Sequence, residues 1–353
     1  MTTMAMQSPV RSESSMSRGT EGPVVCPAFD GSDPFDRLVG QSRALTSVVQ
    51  KARRLAGLDA SVLLQGETGV GKEIFARSIH ESGPRRQGPF IAVNCGGMPR
   101  DLVASELFGY ADGAFTGARR SGQIGKMEAA NGGTLFLDEI GEMPLDVQPY
   151  FLRALEGGEV CPVGSNRPRP ARFRLIAASN RDLRAQVNAA HFRIDLFYRV
   201  AVTSLQVPSL RERREDISIL VEHFRREATR RHGIPEKSFD PEVLMAFENH
   251  SWPGNVRELR NAVETMVLLA EGDLVGFADL PADIASPTGG KAGESAADLK
   301  RVERAAIAGA IRRHAGHLTR TSRDLRISRS TLYLKIKKYA LEPMIQEARP
   351  YAR

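Results

Sequence analysis

Four short apolar runs divide the first half of the chain, and each is followed by glycine or polar residues. They cover residues 61–64, 90–93, 134–137 and 173–178. Uninterrupted apolar runs of this length predict strands that are buried on both faces, as in a mostly parallel sheet between two layers of helices. A helix is predicted from about Gly71 to Glu81, directly after the first run. The pattern therefore predicts a three-layer α/β domain.

A glycine-rich loop joins the first predicted strand to that helix, and its sequence is Gly66-Glu67-Thr68-Gly69-Val70-Gly71-Lys72-Glu73. The glycines let successive N–H groups converge on phosphate oxygens, while Lys72 reaches the β- and γ-phosphates. This is a Walker A pattern. Because Glu73 stands where the general pattern has Ser or Thr, a bound Mg²⁺ depends more on another carboxylate and on water. The alternative is a glycine-rich turn that binds nothing.

Polar residues end the later strands at the same edge of the sheet. Asp138 and Glu139 follow 134–137 as a Walker B pair, in which Asp138 would hold Mg²⁺ and Glu139 would orient the attacking water. Asn180 follows the strand 173–178 and is placed to contact the γ-phosphate. The alternatives are a solvated acidic turn for the pair and a helix N-cap for Asn180.

Three arginines are further candidates for the nucleotide site. Arg193 and Arg199 lie among apolar residues of 192–199, where a charge is unfavourable unless a phosphate or a carboxylate pairs with it. Arg257 lies in the first turns of a helix that follows Pro253-Gly254. An internal salt bridge to Asp195 and an ordinary surface arginine are the alternatives.

Several motifs occur together in one order. They are the Walker A loop with Glu73, Glu106-Leu107-Phe108-Gly109, Gly113-Ala114-Phe115-Thr116-Gly117-Ala118, Phe136-Leu137-Asp138-Glu139, Phe192-Arg193 with Arg199, and Trp252-Pro253-Gly254-Asn255-Val256-Arg257-Glu258-Leu259. With them the chain from about Leu38 to Ala285 closely resembles the AAA+ domain of bacterial enhancer-binding proteins, the activators of sigma-54 RNA polymerase.

The resemblance implies a role for each matching residue. Loop 113–118 is expected to grip sigma-54 through Phe115 and Thr116, although an ordinary glycine-rich surface loop is the alternative. Arg193 and Arg199 resemble arginine fingers that act in trans, Arg257 resembles sensor II, and Asn180 resembles sensor I. Asn94 resembles the residue that restrains the Walker B glutamate. The implied protein is an ATPase that binds ATP and Mg²⁺ and is active as a hexamer.

The net positive charge of the chain comes entirely from its C-terminal part. Of the 353 residues, 291–353 hold 15 lysines and arginines against 6 acids, a net charge of +9, whereas the other residues hold 34 against 36, a net charge of −2. Residues 286–298, rich in small and polar residues, are predicted to be a flexible linker. A basic terminal domain after a linker indicates a nucleic-acid partner.

An amphipathic pattern over 299–314 and two short helices, 319–325 and 328–339, predict a helix-turn-helix. It resembles the Fis-like domain of the same family, most clearly at Ile327 to Tyr333. Arg326 and the pair Thr321-Ser322 depart from that pattern. A packing-only helical hairpin is the alternative, and dimerisation on enhancer DNA is expected. The candidate DNA contacts are Arg320, Arg323, Ser328, Arg329, Ser330, Thr331, Tyr333, Lys335, Lys337 and Lys338.

The predicted organisation is a short disordered segment (1–35), an AAA+ α/β subdomain (36–208), a helical lid (209–285), the linker (286–298), a small all-α DNA-binding domain (299–345) and a tail (346–353). Residues 1–35 are too few for a sensory domain, so control is expected from a separate protein, a hetero-oligomeric partner or expression level. The three cysteines show no paired spacing, and the chain has no signal segment or apolar run of membrane-spanning length. A bacterial cytoplasmic location, no membrane partner and no structural metal are expected.

The sequence thus predicts a sigma-54-dependent activator that binds enhancer DNA and remodels a closed promoter complex with the energy of ATP. A DNA-binding AAA+ regulator that does not act on sigma-54 is the main alternative. An AAA+ unfoldase and a helicase or DNA-loading ATPase share the nucleotide motifs, but they have no need for loop 113–118 together with a basic helix-turn-helix.

Overall fold

The computed structural model describes residues 33–114 and 121–285 and part of the C-terminal segment. In that segment the described residues are 307, 308, 310, 311, 313, 314, 317–324, 332, 335, 336, 339 and 341. Within these ranges, no helix combines the length and the apolar composition that crossing a membrane requires.

Strands and helices alternate through the first part of the chain. The strands are β1 (Val62–Gln65), β2 (Phe90–Asn94), β3 (Gly109–Tyr110), β4 (Gln123–Ile124), β5 (Thr134–Asp138), β6 (Glu159–Val160), β7 (Arg169–Pro170), β8 (Arg174–Ser179), β9 (Thr203–Gln206), β10 (Ser238–Phe239) and β11 (Leu274–Val275). The helices are α1 (Arg43–Ala56), α2 (Lys72–Glu81), α3 (Arg100–Phe108), α4 (Lys126–Ala129), α5 (Gln148–Gly157), α6 (Leu183–Asn188), α7 (Ile194–Val200), α8 (Ile217–His232), α9 (Pro241–Asn249), α10 (Asn255–Leu269), α11 (Ala282–Ala285) and α12 (Leu318–Asp324).

The central sheet has five strands in the order β2-β5-β8-β1-β9, and all of its pairings are parallel. Strand β1, which leads into the glycine-rich loop, lies between β8 and β9. The register pairs Gln65 with Ser179 and Asn94 with Asp138, so the carboxyl ends of the strands form one edge. The predicted polar residues at the strand ends therefore meet at that edge.

Alternate residues of the strands pack into two separate cores, one on each face of the sheet. Leu63 and Leu135 face a core that includes residues of α3, α5 and α7. Leu64 and Phe136 face a core formed with α1 and α2. Burial of both faces explains why the strands have continuous apolar sequences rather than alternating ones. The predicted three-layer α/β fold is confirmed.

A helical lid with its own core follows the sheet. Its core includes Leu210, Trp252 and residues of α8, α9 and α10. Trp252 is fully buried, and its indole N–H donates a hydrogen bond of 2.7 Å to the Phe247 carbonyl. An indole with its N–H paired can be buried without an unsatisfied donor. The lid, too, is as predicted, and its exact limits remain a prediction.

The described part of the C-terminal segment forms a small apolar cluster. Its buried members are Ile307, Ile311, Leu318, Leu332, Ile336 and Leu341. Thr321 and Ser322 of α12 are buried as well, and their hydroxyls donate to the carbonyls of His317 (3.1 Å) and Thr319 (3.1 Å). The two hydroxyls are thus satisfied within their own helix, which removes most of the penalty for placing them in a core.

A buried carboxylate joins the start of the lid to the start of α1. Asp216, with no exposed surface, accepts hydrogen bonds from the backbone N–H groups of Gln41 (2.7 Å) and Ser42 (2.9 Å) and from the Ser42 hydroxyl (2.7 Å). Arg213 lies 4.0 Å from the same carboxylate and is itself buried. Ser42 is also the N-cap of α1. One side chain therefore fixes the segment before α1 against the lid.

We predict that Asp216→Ala destabilises this junction by about 3–5 kcal/mol, because it leaves Arg213 and three donors buried without their acceptor. Urea unfolding followed by the fluorescence of Trp252, the single tryptophan of the chain, measures the change. Asp273→Ala, at an exposed lid position, is the control and should stay within about 0.5 kcal/mol of the wild type. Equal midpoints for the two variants would contradict the role of Asp216.

Candidate nucleotide site

The loop between β1 and α2 adopts the conformation that phosphate binding needs. Gly71, the N-cap of α2, has φ 101°, a left-handed conformation that favours glycine. Gly69 has φ 80°, and a Cβ there would lie 2.1 Å from the Gly254 carbonyl oxygen. The Lys72 ammonium donates to the carbonyls of Gly66 (2.8 Å) and Glu67 (2.9 Å), which holds it over the loop. The loop thus presents a charged donor at a helix N-terminus.

Lys72 is in an unusual environment for a lysine because it is buried. Burial lowers its pKa, and the negative charges of Asp138 and Glu139 oppose that shift. The positive charge of Arg257 acts in the same direction as burial. Both acids and the lid arginine are therefore close enough to Lys72 to interact with it electrostatically, as a shared nucleotide site requires.

The two acids at the end of β5 differ in conformation. Asp138 Oδ1 accepts a hydrogen bond of 3.0 Å from the Glu139 N–H. Glu139 is in the left-handed region, with φ 52° and ψ 46°, which for a residue with a Cβ costs roughly 1–2 kcal/mol. Strain of this kind is retained where the surrounding structure needs it, often at active sites.

Asn94 and the Glu139 carboxylate both lie against the turn Gly96-Gly97. Asn94 Oδ1 accepts hydrogen bonds from the N–H groups of Gly96 (2.9 Å) and Gly97 (3.0 Å). A Cβ on Gly96 would lie 2.1 Å from Glu139 Oε2 and 3.5 Å from Asn94 Oδ1. The structure thus places the two predicted switch partners around one glycine, and a side chain there would displace the Glu139 carboxylate. Their switching role stays a prediction.

Glu73 is turned toward its own helix. The Arg77 guanidinium donates two hydrogen bonds to Glu73 Oε1, of 3.0 and 2.7 Å, one helical turn away. Arg77 also lies over the Phe90 ring, 4.7 Å from its centre. Glu73 thus pairs within α2 in this structure, and the metal expected to be held mainly by Asp138 and water stays a prediction.

Asn180 lies against the glycine-rich loop. Its Nδ2 donates to the Thr68 hydroxyl at 3.2 Å. The N-cap of α6 is Asp182, whose Oδ1 accepts from the N–H groups of Arg184 (2.8 Å) and Ala185 (3.3 Å). The alternative of Asn180 as a helix cap is therefore wrong, and the position fits a residue that senses the phosphate.

The two candidate arginine fingers lie at an exposed surface beside α7. Arg193 forms two hydrogen bonds to Asp195, of 3.1 and 2.7 Å, so the internal salt bridge weighed for this segment is present. Arg199 donates to the Leu155 carbonyl at 3.1 Å. Ile194 and Tyr198, one turn apart on α7, are exposed, and so is Val202, which follows the helix.

The lid reaches the glycine-rich loop through the first turn of α10. The Arg257 N–H donates to the Gly69 carbonyl at 3.3 Å. Asn255 Nδ2 donates to the Thr68 carbonyl (3.1 Å) and to Glu67 Oε2 (3.1 Å), and Arg211 forms an ion pair with the same Glu67 carboxylate. The sequence predicted Arg257 here but not the Glu67–Arg211–Asn255 cluster.

One signal for that cluster was available. A carboxylate inside a phosphate-binding loop is unfavourable unless a cationic side chain pairs with it. Arg211 lowers the pKa of Glu67, chiefly by hydrogen bonding, so the carboxylate stays ionised. No local pattern identifies Arg211, however, because it lies 144 residues further along the chain.

Two sets of predicted contacts lie largely outside the described residues. Of loop 113–118 the structure describes Gly113 and Ala114, and the remaining four residues lie outside. The Ala111 N–H donates to the Val163 carbonyl at 2.9 Å, which ties the segment before the loop to the hairpin β6–β7.

Among the predicted DNA contacts, Arg320 is exposed on α12, Lys335 is half-buried, and Arg323 lies in α12. Ser328, Arg329, Ser330, Thr331, Tyr333, Lys337 and Lys338 lie outside the described residues.

Comparison with known proteins identifies three consecutive regions. Residues 38–206 match the sigma-54 interaction domain, 211–297 match the AAA+ ATPase lid domain, and 298–339 match the bacterial regulatory protein domain of the Fis family. The transcriptional regulatory protein ZraR of Escherichia coli (strain K12) is 42% identical over 304 residues, which are 85% of this chain and 68% of ZraR. The chain belongs to the family of sigma-54-dependent transcriptional regulators.

Two further relatives show the extent of the likeness. NtrX from Brucella abortus, in a crystal structure with ATP, is 33% identical with a TM-score of 0.66, covering 86% of this chain and 69% of NtrX. The signal-transduction and transcriptional-control protein of Clostridium beijerinckii is 42% identical over 312 residues, 87% of this chain. The chain spans about half the length of that relative, 49%.

We predict that Asp138→Ala lowers ATP hydrolysis about 10²–10³-fold, because it removes the carboxylate best placed to organise the charge of the phosphates. A phosphate-release assay measures the rate, and a fluorescent ATP analogue checks that binding persists. Asp146→Ala, at an exposed position eight residues further on, is the control and should retain wild-type turnover. Similar turnover in both variants would exclude Asp138 from the site.

Proposed function

We propose that the protein is a sigma-54-dependent transcriptional activator in the bacterial cytoplasm that hydrolyses ATP in a ring and binds enhancer DNA through its C-terminal domain. The observation that carries the proposal is the combination of a Walker A loop with the Walker B acids at one sheet edge, the intact sequence 113–118 at the end of a segment tied to the sheet domain, and a Fis-type domain in one chain. An unfoldase needs neither of the last two.

The chemistry at the site follows from the residues that meet there. Lys72 and the N–H groups of the glycine-rich loop bind the β- and γ-phosphates of ATP. Asp138, with water, would hold Mg²⁺, and the ion would supply positive charge that offsets the charge of those phosphates. Glu139 polarises the attacking water, and Asn180 orients it or the γ-phosphate. Asn94 keeps Glu139 away from that water until the loop engages its target.

Ring formation is supported by the surface beside α7. Arg193 and Arg199 reach the nucleotide of the neighbouring subunit, and the exposed side chains of Ile194 and Tyr198 are buried against that subunit. The Arg193–Asp195 pair is no obstacle, since an exposed ion pair exchanges readily for a phosphate partner. An arginine supplied in trans accelerates phosphoryl transfer by about 10³-fold or more. We therefore propose a hexamer that is active only when assembled.

The cycle of ATP binding and hydrolysis produces movement of a loop. Loop 113–118, with Phe115 and Thr116 at its centre, contacts sigma-54, and hydrolysis moves the loop to convert a closed promoter complex into an open one. Binding of a dimer to the enhancer, through residues such as Arg320 and Lys335, raises the local concentration of the ring near the promoter.

We predict that Thr116→Ala leaves ATP hydrolysis within about twofold of the wild type while it abolishes open-complex formation, because the residue contacts sigma-54 and not the nucleotide. Phosphate release and promoter melting, probed with permanganate, give the two readouts. Ser121→Ala, which removes a hydroxyl just after the loop, should retain both activities. Parallel loss of both in Thr116→Ala would count against the assigned role.

We predict that Arg193→Ala and Lys72→Ala subunits are each inactive alone but regain hydrolysis when mixed, since a Lys72→Ala subunit can supply its Arg193 to an intact neighbouring site. The rate should peak at intermediate ratios and reach a fraction of wild-type turnover. Light scattering or native mass spectrometry verifies that mixed rings form. Mixed rings without activity at any ratio would show that the finger does not act in trans.

A further inference from the structure

The Glu67 side chain lies within the glycine-rich loop but binds the lid rather than the phosphate cradle. Its two carboxylate oxygens accept hydrogen bonds from the two terminal guanidinium nitrogens of Arg211, one of them at 2.7 Å. Asn255 Nδ2 also donates to Oε2 at 3.1 Å. Arg211 and Asn255 both belong to the lid, so the carboxylate of the glycine-rich loop binds the lid directly.

Asn255 makes this contact part of a larger junction. It is fully buried and left-handed, with φ 52°, and it is the first residue of α10. Its Oδ1 accepts from the Leu210 N–H at 2.7 Å, and its Nδ2 also donates to the Thr68 carbonyl at 3.1 Å. One amide thus joins the first residues of the lid, the lid helix and the glycine-rich loop.

Arg257 lies two residues beyond Asn255 in the same turn. Its N–H donates to the Gly69 carbonyl, and its positive charge acts on Lys72. The backbone position of Arg257 is therefore set by the turn that Asn255 begins. Any shift of that turn moves Arg257 relative to the phosphates.

We propose that Glu67 is a positioning residue: by binding Arg211 and Asn255, it fixes the start of α10 so that Arg257 reaches the terminal phosphate of bound ATP. The inference rests on the proposed ATPase function and on the expected role of Arg257 as sensor II, a lid arginine that reaches the bound nucleotide, and it adds a carboxylate that acts through Arg257. Bidentate arginine–carboxylate contacts fix direction as well as distance, so the Glu67–Arg211 contact is suited to positioning the start of α10. Displacement by about 1 Å is enough to lose a large share of a phosphate interaction.

The test compares the affinities for ATP and ADP, with fluorescent analogues of both and without sigma-54 or DNA. Because Arg257 would contact the phosphate that ADP lacks, Glu67→Gln should weaken ATP binding about tenfold and ADP binding less than about twofold. Arg211→Gln should weaken ATP binding selectively to the same extent. The double variant should be no weaker than either single variant, since both remove one contact.

Asp59→Asn is the matched control. Asp59 forms the same two-pronged contact with Arg85, at 2.8 and 2.7 Å, on the surface of the sheet domain. The Asp59→Asn substitution should leave the ratio of the affinities for ATP and ADP unchanged. If Glu67→Gln weakens ATP and ADP equally, or matches Asp59→Asn, the positioning role is wrong.

Arg257→Ala separates this inference from the proposed function. Selective loss of ATP binding in Arg257→Ala but not in Glu67→Gln would overturn the inference and leave the role of Arg257 intact. No selective loss in Arg257→Ala would overturn both. Selective loss in both variants, with unchanged thermal unfolding midpoints, is the expected result.

Discussion

The structure depends on one geometric constraint, the parallel alignment of five strands. In a parallel sheet all carboxyl ends lie at one edge, so residues far apart in sequence meet there without any direct attraction between them. Lys72, Asp138 and Asn180 follow three neighbouring strands and share that edge for this reason. The apolar contacts that build the two cores thus also assemble the site.

Burial and charge are balanced at this edge. A buried ammonium such as that of Lys72 is unfavourable in the absence of counter-charges, and Asp138 and Glu139 supply them. ATP would bring further negative charge to the same place, which favours a metal ion together with Lys72 and the lid arginine. The arrangement is therefore suited to a ligand that carries both phosphates and a cation.

Several contacts between the lid and the sheet domain are polar. Asp216 binds the segment before α1, Asn255 binds the glycine-rich loop, and Glu67 binds Arg211. Directional contacts of this kind fix the position of one body on another more sharply than apolar packing, which is tolerant of small displacement. They also respond to charge, so a nucleotide that alters the field at the loop can alter the lid. Such coupling is what a machine that converts hydrolysis into motion requires.

By itself the sequence determined the three-layer sheet, the glycine-rich loop, the acids at the end of β5 and the place of Asn180 just after β8, because each depends on local pattern: a buried strand, a turn that needs glycine, a polar residue at a strand end. Only the tertiary structure decided that Glu67 turns to Arg211 of the lid and that Asp216 binds the segment before α1. Those partners are chosen by which side chains the packed elements bring together. Glu67 and Arg211 are 144 residues apart, and no period or motif in the chain encodes that distance.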